Sequence, residues 1–225
     1  MTAEAPRATS QTSDRTTARA TPRPTRRATA QTGSSPDRDV TTTAAVVLAA
    51  GAGSRFMGEN HKLLTEVGGK PIVRHAVDAA RAAGFDEVIV VSGCVDLTEV
   101  LPEDVTIIHN EQWDYGQATS LRGAVTYAAD RGHKAIVVGL GDQPGVGAGA
   151  WRALKDSEAE LAAADFGEGL RPPVRLAAAM WASLPVSGDE GARSLWREWP
   201  EMVESIPCDG DSADVDTLED LRRWS

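Results

Sequence analysis

Residues 44–64 read AAVVLAAGAGSRFMGENHKLL. The apolar run over 44–50 has the length of a strand buried on both faces rather than of a full helix, and it breaks at Gly51. Gly51, Ala52, Gly53 and Ser54 are small enough for the backbone to turn sharply and come close to a ligand, with free amides available to anionic oxygens. Arg55 follows at once and Lys62 seven residues later. Isolated cations are ordinarily solvated, but these two flank a glycine-rich turn at the end of a buried strand, the combination a triphosphate requires. Two commoner phosphate loops are excluded. A dinucleotide fingerprint counted from Gly51 needs a glycine where Phe56 stands, and no Gly-Lys-Ser/Thr triplet completes a P-loop.

Composition bounds the rest. The 225 residues carry a formal net charge of -10, enough chain for one sizeable domain or a domain with a tail. Residues 1–43 are mostly Thr, Ala, Arg, Pro, Ser and Gln, without an aromatic residue or an apolar period. Such a segment buries too little surface to offset the entropy of ordering, so a disordered leader over 1–43 and one domain over 44–225 are expected. The leader holds seven arginines and four acidic residues, a balance of +3, which leaves the domain at -13. An acidic domain argues against a nucleic-acid-binding face, which needs clustered Lys and Arg. Small polyanions remain accessible to a few cations and a metal ion focused at one site. No run is long and apolar enough to span a bilayer, and the leader lacks the apolar stretch of a secretory signal. Cys94 and Cys208 lie outside any Cys-x-x-Cys pattern, so neither disulfide nor structural zinc is implied and a cytoplasmic location is expected.

Downstream, strands and helices alternate. Residues 66–70 read as a turn, and Pro71 stands where a helix would begin. Ile72, His75, Ala76, Ala79, Ala80 and Ala83 share one helical face, which Gly84 ends. EVIVVSG over 87–93, VTIIH over 105–109 and KAIVVGLG over 134–141 are further strands, with a helix over 118–131 whose Leu121, Val125 and Ala128 face inward. This interval predicts an α/β fold, a doubly wound and mainly parallel sheet sandwiched by helices. Beyond it we expect a flexible stretch over 145–149, a helix over 151–164, and a strand over 174–180. A helix over 192–198, a strand over 203–206 and a helix over 218–224 follow. All six tryptophans lie from Trp113 onward, as ordinary core or as the lining of an acceptor pocket.

Two acidic positions stand out. Asp142 closes the strand ending Gly139-Leu140-Gly141 and so shares with Gly51 the carboxyl edge of the sheet, where open parallel sheets bind ligands. A carboxylate there can hold Mg2+ against phosphate oxygens, because Mg2+ takes one or two carboxylates and fills its shell with substrate oxygens and water. It can equally cap a turn before Pro144. In Asp214-Val215-Asp216-Thr217-Leu218-Glu219-Asp220, helix capping accounts for most of the carboxylates. It leaves the alternation of Asp214 and Asp216 unexplained; one of the two can turn back to the crevice, and Asp216 is the second candidate metal ligand. Gly116-Gln117-Ala118-Thr119-Ser120 opens a helix whose free amides can meet an anion or a base edge, or be capped by Thr119 or Ser120. His61, His75, His109 and His133 are scattered and show no ligand spacing.

Leu48-Ala49-Ala50-Gly51, then Arg55, then Lys62-Leu63-Leu64 resembles the N-terminal signature of the nucleotidyltransferases. Four further blocks follow in register: GGKPIVRHAV, IIHNEQWDYGQATSLRGAV, GDQP, and GDEGAR with DVDTLEDL. Over about residues 46–221 the chain thereby resembles the MobA-like NTP transferases, and among them most the molybdenum cofactor cytidylyltransferases. The resemblance implies a Rossmann-like nucleotidyltransferase fold and Mg2+-dependent transfer of a cytidylyl group from CTP to molybdopterin, with release of pyrophosphate. It implies catalytic roles for Arg55, Lys62 and Asp142, and a metal held by Asp142 and Asp216. Leu48, Ala49, Ala50, Gly51, Ala52, Gly53, Ser54, Arg55, Lys62, Gln117 and Ser120 would bind the nucleotide. Ala50 is similar to the cytidylyl branch, since members using GTP tend to carry glycine there. The implied partners are the nucleoside triphosphate, the pterin phosphate and a molybdoenzyme receiving the product, with no nucleic acid and no membrane. Two departures stand out: Met57 is additional to the usual arginine-aromatic-glycine sequence, and Arg171-Pro172-Pro173 replaces the common Gly-His-Pro on the acceptor side. The alternatives are transfer to a sugar phosphate or another small phosphorylated acceptor, and a non-catalytic nucleotide-binding partner of a molybdoenzyme.

Overall fold

The computed structural model describes residues 42–58 and 60–224, so the expected leader lies outside the described residues except for its last two. In chain order the elements are β1 (Thr43–Ala49), β2 (Glu66–Val67), β3 (Lys70–Pro71), α1 (Ile72–Ala82), β4 (Glu87–Ser92) and β5 (Thr106–His109). Then come α2 (Gln117–Asp130), β6 (Ala135–Leu140), α3 (Ala148–Asp156), β7 (Leu161–Asp165), β8 (Leu170–Ala177), α4 (Arg193–Glu198), β9 (Val203–Pro207) and α5 (Leu218–Arg222). Seven strands form one sheet in the order β5-β4-β1-β6-β8-β7-β9, and β2 and β3 make a separate hairpin where the turn over 66–70 is expected. β1 lies between β4 and β6 and parallel to both, with β5 parallel beyond β4. β8 is the reversed strand, antiparallel to β6 and β7, and β9 is parallel to β7.

All seven residues of β1 are buried, as a central strand covered on both faces must be. Alternate side chains part to the two faces. Ala45, Val47 and Ala49 join Val73, Ala76, Val77 and Ala80 of α1 and Trp151 and Leu154 of α3. Ala44, Val46 and Leu48 join Leu121, Ala124, Val125 and Ala128 of α2 and Leu195 of α4. The predicted sandwich of helices around a mainly parallel sheet is therefore present. In β6, a Cβ on Gly139 would lie 2.4 Å from the Trp151 ring; bare backbone is what admits the fully buried indole. Thr42 and Thr43, assigned by composition to the leader, are joined to the domain: the Thr42 carbonyl accepts from Lys134 N–H at 2.9 Å, and Thr43 opens β1.

The reversed half departs from the sequence reading. The helix expected over 151–164 is α3, which starts earlier and stops at Asp156, followed by strand β7. Ser157 ends the helix: its hydroxyl accepts from Ala159 N–H at 3.1 Å and donates to Glu204 at 2.7 Å. The alanines of β7 favour a helix intrinsically, but Leu161, Ala162, Ala163 and Ala164 are fully buried between β8 and β9. Pairing on both edges overrides local preference. β8 begins at Leu170, not Val174. Ala163 pairs with Val174 and Ala164 with Arg171, which leaves Pro172 and Pro173 in a bulge, a place where residues lacking an N–H cost the ladder little. β8 also ends at Ala177, and Ala178–Ser183 is a 3-10 helix. The stretch over 145–149, expected to be flexible, is a turn with Val146 buried that leads into α3. No helix among the described residues is long and apolar enough to cross a membrane.

Candidate active site

The carboxyl ends of β1 and β6 open onto the loop that follows Ala50. Gly53 adopts a φ of +61°, and a Cβ there would meet Lys62 Cγ at 3.0 Å, so the turn packs on the aliphatic stem of Lys62. A Cβ at Gly51 would meet no protein atom within 4 Å, although Gly51 lines the cleft. Packing within the chain does not demand a glycine there, and the bare backbone faces open cleft. His61, to which sequence reasoning assigned no role, clamps this loop. Its Nδ1 accepts from Leu63 N–H at 3.3 Å, so the proton sits on Nε2, which donates to the Gly51 carbonyl at 3.1 Å. Burial and the Lys62 charge outweigh the Gly51 hydrogen bond and hold its imidazole below the usual histidine range. The available signal was its place one residue before Lys62, where a 3-10 turn takes its N-cap.

Opposite charges meet at Lys62. Its Nζ donates to Asp142 Oδ2 at 2.6 Å and Asp216 Oδ1 at 3.0 Å, and Arg55 pairs with Asp216 Oδ2 at 2.9 Å. The Lys62 side chain is 11% exposed and that of Arg55 77%, so one cation is built into the site and the other reaches Asp216 from the surface. The acids are gathered by backbone. Val215 N–H donates to the Asp142 carbonyl at 2.9 Å, and Gln143, 2% exposed, donates Nε2–H to the Ser212 carbonyl at 3.0 Å and Asp214 Oδ1 at 2.9 Å. Both Asp214 and Asp216 thus reach the cleft, where the alternation suggested that one would. Beyond them Thr217 caps α5 in a reciprocal box with Asp220, as the capping reading expects.

Burial, and then the Asp142 charge, push the Asp214 carboxyl above the usual range. Burial alone would lower Lys62, but Asp142 and Asp216 outweigh it and hold the ammonium up. Three carboxylates therefore face one buried cation and one exposed one, an excess of negative charge that a divalent cation would offset. Among the described residues no group of three or more His, Cys, Asp or Glu side chains is arranged to hold a metal on its own. A cation at Asp142 and Asp216 would complete its shell with substrate oxygens and water, which is the habit of Mg2+.

Two adjoining clefts, of roughly 290 and 230 Å³, share Arg55, Lys62, Gln117, Asp142 and Asp189 along their common border. The first runs over Ala49, Ala50, Gly51, Gly53, Trp113 and Ser120. The second runs over Pro172 and Val174 of β8 to Arg193 and Trp196, bounded by Asp214 and Asp216. Of the expected nucleotide residues, Leu48, Ala49, Ala50, Gly51, Gly53, Arg55, Lys62, Gln117 and Ser120 line these clefts; Ala52 and Ser54 are not among the lining residues. Ser120 is nearly buried and accepts from Asn110 Nδ2 at 2.9 Å. The start of α2 is closed by another loop: Ala118 N–H donates to the Gly188 carbonyl at 2.9 Å. A Cβ on Gly116, at φ +101°, would lie 2.5 Å from Gly188 C, so this contact needs glycine and delivers Asp189 to the cleft. Of the six tryptophans Trp151 is fully buried, whereas Trp113 and Trp196 are half-buried cleft residues. The added Met57 is 82% exposed, beside the packed Phe56 at 9%.

An open α/β sheet with a glycine loop at the end of its central strand, a lysine shared by two carboxylates and two clefts meeting there has the architecture of a nucleotidyltransferase. Residues 45–203 match the MobA-like NTP transferase domain, and the chain belongs to that family. Nicotine blue oxidoreductase from Paenarthrobacter nicotinovorans is 31% identical over 203 residues, covering 83% of this chain and 98% of that protein. Rv0371c from Mycobacterium tuberculosis H37Rv is similar with a TM-score of 0.74 at 29% identity over 82% of this chain and 97% of its own. The same protein in a complex with manganese gives a TM-score of 0.71 at 28% identity over 82% and 98%. A nucleotidyl transferase from Methanothermobacter thermautotroptrophicus gives 0.69 at 26% over 81% and 95%.

Proposed function

We propose that this protein transfers a cytidylyl group from CTP to molybdopterin and releases pyrophosphate. The observation that carries the reading is Lys62, held between Asp142 and Asp216 where two clefts meet. Two substrates entering from the two sides would bring their phosphates together at that junction. A terminal phosphate oxygen of the acceptor forms a bond to the α-phosphorus of CTP while the bond from that phosphorus to the bridging oxygen breaks and pyrophosphate leaves. No covalent enzyme intermediate is needed, so catalysis is alignment and charge neutralisation. Lys62 and Arg55 would exchange carboxylate oxygens for phosphate oxygens, and the Gly51–Gly53 loop, steadied by His61, would hold the triphosphate. Asp142 and Asp216 would hold Mg2+, which supplies Lewis-acid neutralisation of the phosphates; the manganese complex of Rv0371c supports a divalent ion in this family. Ala50 and the five blocks in register support CTP and the pterin, and a molybdoenzyme would receive the product.

The test is pyrophosphate release by purified protein with Mg2+, offering CTP, GTP, ATP and UTP in turn, with and without molybdenum-loaded molybdopterin. Release confined to CTP with the pterin is expected. Release with a sugar phosphate instead would transfer the reading to that acceptor, and CTP binding without any release would leave a nucleotide-binding partner. A second reading, oxidoreduction of nicotine blue, rests on the identity to nicotine blue oxidoreductase along 98% of that protein. It predicts that nicotine blue, offered with a reductant, changes its absorbance at a rate set by the protein concentration and indifferent to CTP.

A further inference from the structure

The hydroxyl of Ser120 is fixed in one sense. Asn110, a buried residue just past β5, donates Nδ2–H to Ser120 Oγ and to Thr119 Oγ1, each at 2.9 Å, while its Oδ1 accepts from Gln112 N–H at 3.0 Å. The Gln112 amide can only donate, so it decides which end of the Asn110 amide faces the two hydroxyls. Thr119 shares its own proton between the Gln112 carbonyl at 2.8 Å and the Gly116 carbonyl at 2.9 Å. The Ser120 side chain has no second partner among the described residues: it accepts from Asn110, and its proton is left for the nucleotide cleft that it lines. Sheet order says which part of a nucleotide meets it. Arg55 and Lys62, the cations of that cleft, are gathered on Asp216 and on Asp142 after β6. Asn110 follows β5, and its N–H is bonded to the Ser92 carbonyl of β4 at 2.8 Å, on the opposite side of β1. A Cβ on Gly93 would lie 2.7 Å from both Ala50 O and Trp113 Cβ, which sets the Trp113 segment beside the end of β1 on that same side. A triphosphate held at Lys62 leaves the β4–β5 side, with Ser120, to the ring.

We propose that Asn110 is a positioning residue for base recognition: it holds the Ser120 hydroxyl as a donor toward a hydrogen-bond acceptor atom of the pyrimidine ring, O2 or N3 of cytosine. This rests on the nucleotide reading of the cleft. Asn110→Asp inverts the arrangement, since one carboxylate oxygen keeps the Gln112 N–H and the other draws the Ser120 proton inward. The test is calorimetric binding of CTP and of inorganic triphosphate, each with Mg2+, to the wild type, Asn110→Asp, Ser120→Ala and the double variant. Pyrophosphate release from CTP with molybdenum-loaded molybdopterin is assayed alongside. Ser120→Ala is expected to weaken CTP binding by roughly two- to twelvefold, the scale of one neutral hydrogen bond, and Asn110→Asp by at least as much. Neither change should move inorganic triphosphate by more than about twofold, and on the Ser120→Ala background Asn110→Asp should cost CTP no more than about twofold. Asn110→Ala, which frees the hydroxyl to turn, serves in the same cycle if the Asp variant does not fold. An unchanged CTP affinity in Ser120→Ala overturns the assignment. So does a loss shared by CTP and inorganic triphosphate, or an Asn110 effect equal with and without the Ser120 hydroxyl, which marks a merely structural role. If the binding pattern is as expected and no pyrophosphate is released, the role of Asn110 stands and the transfer reading falls. If pyrophosphate is released and CTP affinity ignores Ser120→Ala, transfer stands and this role falls.

Discussion

Each end of the sheet carries a polar cluster, and the two follow opposite rules. At the amino ends of the strands, Glu87 of β4 accepts from the Thr106 hydroxyl at 2.7 Å, the Tyr127 hydroxyl at 3.0 Å and His133 Nε2 at 3.0 Å. His133 Nδ1 is bonded in turn to the Thr42 hydroxyl at 2.9 Å. Burial would raise the Glu87 carboxyl, but the hydrogen bonds from His133, Thr106 and Tyr127 outweigh it and hold it below the usual range. At the carboxyl ends, Asp142, Asp214 and Asp216 crowd around Lys62, and Asp214 is pushed the other way. A buried acid whose partners are complete ties the fold together; one crowded by its own kind in a cleft is a candidate functional group.

If the crowded end is where chemistry happens, perturbing it removes activity and leaves the fold. Chelation with EDTA should take pyrophosphate release to background, and added Mg2+ or Mn2+ should restore it; activity indifferent to the chelator would break the comparison at its first step. Lys62→Ala and Asp142→Asn should each reduce turnover by roughly a hundredfold or more, the scale of losing one preorganised charge-stabilising group, with a native circular dichroism spectrum. Near-normal turnover in either variant removes that residue from the mechanism. His61→Ala deletes one hydrogen bond to the Gly51 carbonyl, so a rise of about two- to twelvefold in the CTP KM is expected from a loss of about 0.5–1.5 kcal/mol. An unchanged KM would mean that the loop holds its shape without the clamp.

The satisfied end should respond in stability alone. Glu87→Gln keeps the shape but loses charge-assisted bonds, and a cost of about 1–3 kcal/mol in urea unfolding is expected, with turnover intact. Its pH dependence has a definite sign. A carboxyl held lower in the folded than in the unfolded chain contributes stability above the unfolded glutamate value, ~4.3, and that contribution is lost as pH falls from there through the folded value. Wild type and Glu87→Gln should therefore differ most near neutral pH and converge in acid. A gap that persists in acid would mean that Glu87 acts through shape and not charge.

The parallel half was legible because its signals are local. The run ending at Ala50, the turn at Gly51, and Asp142 after Gly141 are each read within a few residues, and parallel topology then places the two strand ends on one edge. β7 was misread because its alanines carry a helical preference, while the pairing that makes them a strand comes from β8 and β9. Trp196 stood in the sequence only as one tryptophan of six and Asp189 only as part of the block GDEGAR, because nothing near them in the sequence says which cleft they face.

The sequence by itself determined the chemical inventory: a glycine loop, two cations, a carboxylate at a strand end, and a period of alternation that allows one main sheet. The tertiary structure alone decided which charges meet. Lys62 reaches Asp142 across 80 positions and Asp216 across 154, and Gln143 reaches Asp214 across 71. Local propensity and spacing hold no information about such distances, which are fixed only when the two faces of the sheet are buried and the backbone of Val215 is bonded to Asp142.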